Sequence, residues 1–319
     1  MDKAGDPLAI PPVTSDKAMP FWSVMIPTYN PRRDYLEQAL SSVLSQDPGK
    51  DRMQIEVVDD CSTGQDVANL VRPIAGDRVT FSTTPSNLGL AGCWNTCVER
   101  SVGTWVHILH QDDYVLPGFY ERLESLSSTN SQVGLIAARS MLVGADGVIE
   151  GVTERIRGLE HGSKDAHELY YESPARCPGI IVRREFYERH GGFRSDLKFT
   201  LDYEMWTRVI STSGGLATAE VLAAYRQASG NETSRLIRTG EAFEDYSRLH
   251  RLYAQRYGDF DIKRANRNIC GTALSYSKRL EQLGDQDAAR ACFNFWKKNS
   301  TLKQKVRHFI GSAVRRVSG

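Results

Sequence analysis

Trp105 to Phe119 reads Trp-Val-His-Ile-Leu-His-Gln-Asp-Asp-Tyr-Val-Leu-Pro-Gly-Phe. An apolar run of strand type ends in two adjacent carboxylates, Asp112 and Asp113, and Pro117 then leads into a helical pattern. Side-by-side like charges repel unless water surrounds them or a cation sits between them. A strand end with two hard oxygen donors suits Mg²⁺ or Mn²⁺ in an α/β protein, where ligands gather beyond the carboxyl ends of the strands. The same pair also reads as ordinary helix capping and dipole compensation. The rest of the chain has to decide between the two.

Working outward, Trp22 to Asn30 reads Trp-Ser-Val-Met-Ile-Pro-Thr-Tyr-Asn, a buried strand ended by Pro27 and opening into a polar loop. Asp34, Leu36, Leu40, Val43 and Leu44 follow at helical spacing. A second strand, Ile55-Glu56-Val57-Val58, runs into Asp59-Asp60-Cys61-Ser62-Thr63, and the segment from Asn87 through Gly89 to Asn95 opens a third helix before the Trp105 strand. Strand and helix alternate, with polar residues at each strand's carboxyl end. That is the pattern of a parallel sheet carrying a nucleotide site.

The ordered set Pro27-Thr28-Tyr29-Asn30, Asp59-Asp60-Cys61-Ser62-Thr63, Asn87 with Gly89 and Asn95, and Asp112-Asp113 resembles glycosyltransferase family 2 over about Phe21 to Thr233. The resemblance implies an α/β, GT-A (Rossmann-like) fold: a mixed, mainly parallel sheet flanked by helices. It implies an inverting glycosyltransferase that uses a nucleotide-diphosphate sugar, a UDP-sugar favoured, together with Mn²⁺ or Mg²⁺. Members of this type commonly extend cell-surface polysaccharides on lipid carriers, so the expected acceptor is a glycan or a lipid-linked glycan of a bacterial surface.

Composition sets outer limits. With 319 residues, 40% apolar and 25% charged, the chain can bury a sizeable core. A net charge of +1 gives no argument for nucleic acid as a partner. The six cysteines, at 61, 93, 97, 177, 270 and 292, lack Cys-x-x-Cys spacing and read as reduced thiols of a cytoplasmic protein. No segment reaches the roughly 18 apolar residues of a membrane span, so any membrane contact is expected to be peripheral, at the inner face of the cell membrane. Residues 1–20, with Pro7, Pro11 and Pro12, read as a disordered leader. The catalytic domain is expected at 21–234, split into a nucleotide-sugar half at 21–113 and an acceptor half at 114–234. Beyond it, 235–319 reads as a helical extension, because apolar residues such as Phe243, Tyr246, Leu249 and Tyr253 recur at helical spacing. Oligomeric state is not legible.

Roles follow from the resemblance, and each has a plainer structural alternative. Asp60 and Asp59 would accept hydrogen bonds from base and ribose, or form an Asx turn or a cap for a helix beginning near Gly64. Pro27, Thr28 and Tyr29 resemble the base-contacting loop, with Tyr29 as simple packing the alternative. Asn87 and Asn95 would orient the nucleotide. The family often has an Arg just before the second Asn, where this chain has Trp94. Asp112 is the expected metal ligand, and Asp113 beside it an expected nucleotide-sugar contact. The family's usual Asp-x-Asp begins here with His110, which either touches sugar or metal or has no chemistry.

Leu201-Asp202-Tyr203-Glu204-Met205-Trp206 resembles the family's Glu-Asp-x-x-x-Trp segment, with Leu201 in place of the Glu. Asp202 would be the general base that takes the acceptor proton; capping the helix that follows is the alternative. Tyr225-Arg226, then Asn231 and Thr233, resembles a loop closing over the diphosphate, where the Arg226 fork would suit phosphate oxygens. Replacement of two motif acids leaves a second reading open: a degenerate GT-A domain that binds nucleotide sugar or a partner without turnover. Finally, 291–319 has no Asp or Glu but carries Lys297, Lys298, Lys303, Lys305, Arg307, Arg315 and Arg316. With apolar residues at helical spacing, it reads either as a packed terminal helix or as a helix lying on an anionic membrane.

Overall fold

The computed structural model describes residues 6–14, 18–156, 159, 168–171, 175–227 and 230–306. The chain divides into two compact units, 1–196 with 201–228, and 197–200 with 229–319. The second unit thus begins six residues before the expected 235 and also claims the tetrapeptide 197–200.

The first unit is built from β1 (Trp22–Thr28), α1 (Arg33–Leu44), β2 (Met53–Asp59), α2 (Ala68–Ala75), β3 (Thr80–Thr83), α3 (Gly89–Arg100), β4 (Trp105–Ile108), β5 (Tyr114–Val115) and α4 (Phe119–Thr129). It continues with β6 (Leu135–Gly144), β7 (Ile149–Val152), β8 (Ile180–Arg183), α5 (Arg184–His190), α6 (Leu201–Ser213) and β9 (Gly215–Gln227). The strands form one sheet of order β3-β2-β1-β4-β8-β6-β9-β5, with β7 beside β6. Its first four strands are parallel, whereas β8 runs antiparallel to both β4 and β6.

Strand β1 is buried along its whole length, as its near-continuous apolar sequence requires of a central parallel strand. Val24 and Ile26 are fully enclosed, each contributing about 1.5–3 kcal/mol. Pro27 is tolerated because pairing with β4 ends at Met25 opposite Ile108, while pairing with β2 continues to Thr28 opposite Asp59. The strand therefore runs one residue past Pro27. Where the chain enters β4, Gly103 lies against the backbone of Trp22 and Ser23; a Cβ there would sit 2.5 Å from the Trp22 carbonyl carbon. Only glycine lets Trp105 align with Trp22 in register.

Part of the expected disordered leader is instead packed. Ile10 is buried, the Gly192 N–H donates to the Leu8 carbonyl at 2.7 Å, and the buried Arg184 guanidinium donates to the Pro11 carbonyl. The proline-rich strip supplies carbonyls to donors that would otherwise be buried without partners, a demand not visible in local composition.

In the second unit, α7 (Glu232–Thr239), α8 (Glu241–Arg256), α9 (Ile262–Gln282) and α10 (Gln286–Asn299) follow with no further strand among the described residues. Asn231, Asp261 and Asp285 cap α7, α9 and α10 through their side chains. Phe243, Ile269, Cys270, Ala273, Cys292, Phe295 and Trp296 make the core. The Asp245 carboxylate receives the backbone N–H groups of Lys198, Phe199 and Thr200, which ties that tetrapeptide to α8. No helix among the described residues is long and apolar enough to cross a membrane. All six cysteines are unbridged. Residues 307–319 of the basic tail lie outside the described residues.

Candidate active site

The carboxyl ends of β1, β2 and β4 bring the motif residues to one edge of the sheet. Thr28 Oγ1 donates to Asp59 Oδ1 at 3.1 Å, and the Ser62 N–H, three residues on, donates to Asp59 Oδ2 at 2.9 Å. Asp60 reaches to the start of α3, where its carboxylate accepts from the Leu88 and Gly89 N–H groups at 2.8 and 2.9 Å and from the Thr84 hydroxyl at 3.0 Å. It caps a helix 28 residues downstream. The plainer alternatives raised for the Asp-Asp motif are corrected: no helix begins near Gly64 among the described residues, and Asp60 serves the start of α3 instead. Asn30 and Cys61 stand at φ 45° and 58°, in the left-handed region that non-glycine residues seldom occupy. The Asn30 amide holds them there by accepting from the Thr63 and Gly64 N–H groups. Held strain of this kind concentrates at binding sites.

Tyr29 is exposed at the rim, and its backbone exchanges two hydrogen bonds with the Gln111 side chain, of 2.8 and 3.2 Å. Gln111 thereby locks the β1 loop to the acidic loop. Neither Asp112 nor Asp113 caps α4, which starts at Phe119 behind Gly118. Asp113 is 1% exposed, and its Oδ1 accepts the Arg226 N–H at 2.9 Å.

Arg226 stands near the end of β9, where its guanidinium donates to the carbonyls of Asp112 and Gly144 and to Gln38, and stacks 4.1 Å over the Tyr35 ring. The expected phosphate clamp is corrected here. With its donors used by the protein and only 4% of it exposed, Arg226 supports the acidic loop from behind. Asn231 is likewise corrected, from a closing loop to the cap of α7. A third correction concerns Asn95, which is buried on α3 with both ends of its amide on the Phe193 backbone, at 2.7 and 2.9 Å. It clamps a turn and has nothing left for a nucleotide. Asn87, exposed, accepts the Gly89 N–H at 3.1 Å.

His110, Asp112 and Asp113 bring one donor atom each to within 4.8 Å of one another. The His110 Nδ1 lies 3.4 Å from Asp113 Oδ2, and its ring packs on Trp94 with centroids 4.8 Å apart. Burial alone would lower the imidazole, but the adjoining Cys177 sulfur and Asp113 outweigh it and hold His110 well above the usual range. Burial, then the Asp113 charge, push Asp112 up to about 6. His107, by contrast, is enclosed between Tyr120 and the Pro178 carbonyl, and burial lowers it to about 3, so it is a neutral core residue.

Asp202 stands in the first turn of α6, which begins at Leu201, two residues before the Tyr203 start that a cap at Asp202 would give. Its carboxylate accepts its neighbour Tyr203's N–H at 2.6 Å. Burial pushes it up to about 6, against the favourable fields of His110 and Arg176. The helix is fixed by a buried pair, Glu204 with Arg208, whose guanidinium also donates to the carbonyls of His190, Gly191 and Gly192. Asp112 and Asp113 thus stand beside the His110 imidazole, whose field also reaches Asp202.

The family model for glycosyl transferase family 2 matches residues 23–191. The chain belongs to glycosyltransferase family 2. It has the GT-A fold and is a glycosyltransferase. Among its relatives, the uncharacterized protein MT1568 of Mycobacterium tuberculosis is 28% identical over 255 residues, 74% of this chain and 76% of that protein. The structure of Staphylococcus aureus TarS 1-349 in complex with UDP-GlcNAc superposes with a TM-score of 0.60 at 16% identity, covering 89% of this chain and 77% of that one. Mannosyltransferase PcManGT from Pyrobaculum calidifontis, in complex with GDP-Man and Mn²⁺, gives 0.56 at 19% identity, covering 98% and 84%.

Against the family pattern, two departures prove to be a single contact: Trp94 in place of Arg packs on His110 in place of Asp. Three site residues escaped the sequence reading. Asn30 carries a detectable signal, since Asn before Pro31 at a strand end suits a turn. Gln111 and Cys177 carry none, because their partners come from distant segments.

Proposed function

We propose that this glycosyltransferase moves a sugar from a nucleotide-diphosphate sugar, with UDP-sugars favoured, to a hydroxyl of a glycan or lipid-linked acceptor, with inversion at C1. The observation that carries the reading is the His110–Asp112–Asp113 cluster, whose imidazole field also reaches Asp202, with burial holding Asp112 and Asp202 at about 6. Carboxylates so placed are ionised at neutral pH yet basic enough to accept a proton.

Thr28, Tyr29, Asp59 and Asp60 form the proposed wall for base and ribose, and Asn87 its rim. Asp202 takes the proton of the acceptor hydroxyl as that oxygen bonds to C1, while the bond from C1 to the phosphate oxygen breaks and nucleoside diphosphate departs. An α-linked donor then gives a β-linked product. The residues at the acidic loop fit a divalent ion, since Asp113 Oδ2 is buried with no hydrogen bond among the described residues. Asp112, with its neighbours, would hold Mn²⁺ or Mg²⁺, which when bound neutralises charge on the leaving diphosphate. Arg226 and Gln111 keep that loop in place.

The acceptor we propose belongs to a bacterial surface polysaccharide, and the enzyme would work at the cytoplasmic face of the membrane. The acid-free segment 291–319 supports peripheral contact, as do Leu302 and Val306, exposed by 78% and 48% beside Lys303 and Lys305. Release of nucleoside diphosphate from a panel of donors with Mn²⁺, UDP-GlcNAc and GDP-mannose included, tests the activity. Turnover with one donor and a suitable acceptor supports it. Donor-dependent thermal protection without turnover on any member would instead make the domain a binding module.

A further inference from the structure

We infer that His110 is a nitrogen ligand of the divalent ion proposed above, and that the site therefore prefers Mn²⁺ and neighbouring transition metals to Mg²⁺. The inference rests on that proposed metal site but adds a separate claim about which atom binds and which ion is chosen. Asp113 Oδ1 is committed to the Arg226 N–H, so its Oδ2, enclosed and without a hydrogen bond among the described residues, faces the His110 Nδ1 at 3.4 Å. That separation is long for an N–H···O bond. It is close to the roughly 3 Å between two adjacent ligands on one ion bound at about 2.1–2.2 Å.

An oxygen of Asp112 completes the set, with all three donor atoms within 4.8 Å of one another. Ligands on opposite sides of an ion lie roughly 4.3 Å apart at such bond lengths, so side-chain adjustment suffices. The imidazole is already oriented by Trp94 on one face and Cys177 beside it, which limits the ordering required on binding, and the proton that pairs it with Asp113 would pass to solvent as the ion takes its place. Imidazole for carboxylate removes one negative charge and introduces a softer donor. Mg²⁺ is the ion most dependent on oxygen ligands, whereas imidazole suits transition metals. The substitution thus shifts the choice of ion without abolishing the site.

The test uses the full-length protein with Mn²⁺ and UDP as probes. Pulsed electron paramagnetic resonance reads nitrogen coupling to Mn²⁺, and protein grown with ¹⁵N-histidine separates imidazole from uracil nitrogen. The expected result is a ¹⁴N coupling that changes to the ¹⁵N pattern on labelling and vanishes in His110→Asp. His110→Gln should weaken Mn²⁺ by roughly 10–100-fold, and His110→Asp should lower the Mn²⁺ to Mg²⁺ affinity ratio at least about tenfold. Thermal melting confirms that each variant is folded. Mn²⁺ that binds, is lost in Asp112→Asn, and shows no histidine coupling overturns the inference while leaving the metal site intact. Mn²⁺ binding unaffected by Asp112→Asn, or absent altogether, overturns the metal reading and the inference with it.

Discussion

Replacing Asp112 by Asn should stabilise the metal-free protein at neutral pH. Burial and Asp113 raise the Asp112 carboxyl from 3.8 to about 6. Between about pH 4 and 6 the folded chain keeps a proton that the unfolded chain releases, so stability falls as pH rises through that window and the penalty is complete above it. Two pH units correspond to about 3 kcal/mol, and partial exposure of Asp112 trims this to about 1–2 kcal/mol. Asn lacks the charge and hence the slope. Urea midpoints measured without metal should therefore coincide at pH 4 and favour the variant at pH 7.5, with unchanged m. Mn²⁺ with UDP should reverse the order: at a hundred times its dissociation constant a ligand adds about 2.7 kcal/mol, and only the wild type would gain it. An Asn variant no more stable at pH 7.5, or equally favoured at pH 4, refutes the electrostatic argument. Wild-type turnover with the same Mn²⁺ dependence in that variant refutes the metal assignment.

Asp202→Asn should cut the catalytic rate by at least about a hundredfold while donor affinity stays within about threefold, read from steady-state kinetics and donor titration; near-normal rates would reduce Asp202 to a structural residue. Because the ionised carboxylate is the proposed base, wild-type turnover should rise with pH through about 6, and a rate flat from pH 5 to 8 would contradict the assignment. Gly192→Ala places a methyl group against the Asn95 amide and should lower stability by about 1–3 kcal/mol, read from the urea midpoint; an unchanged midpoint would show that the clamp yields freely. Truncation after Asn299 should abolish co-sedimentation with anionic vesicles while leaving neutral vesicles unbound by either form. Equal pelleting of both forms would remove the tail from any membrane role.

Strands β1, β2 and β4 were legible because, buried along nearly their whole length, they are mostly apolar and their polar ends mark the site edge, whereas β3, Thr-Phe-Ser-Thr at the exposed edge, offered no such run and was not read. The helical character beyond 240 was equally plain from spacing. What local sequence withheld was partnership. Nothing around Asn95 reveals that Phe193 will occupy both ends of its amide, and nothing around Arg226 reveals that carbonyls of Asp112 and Gly144 will consume its donors. Residues 7–14 look like a leader until Arg184 and Gly192 are seen to need their carbonyls. In each case a buried polar group is satisfied by a segment far away in sequence, and type and spacing alone do not encode such pairings.

The acidic edge itself follows a consistent electrostatic logic. Burial holds Asp112 and Asp202 near 6, helped at Asp112 by the Asp113 charge, and the cationic groups whose fields reach them are His110, Arg226 and Arg176. Arg226 is committed to the loop's backbone and Arg176 acts on Asp202 through its field, 5.7 Å over the Tyr225 ring. That leaves His110 as the group in direct reach of Asp113. An Arg at position 94, as in the commoner family pattern, would set a second cation against this imidazole, whereas the indole found there offers a neutral, stacking face. Trp94 and His110 therefore act as one contact, which keeps the acidic edge intact while setting a nitrogen donor, in place of a carboxylate oxygen, to face it.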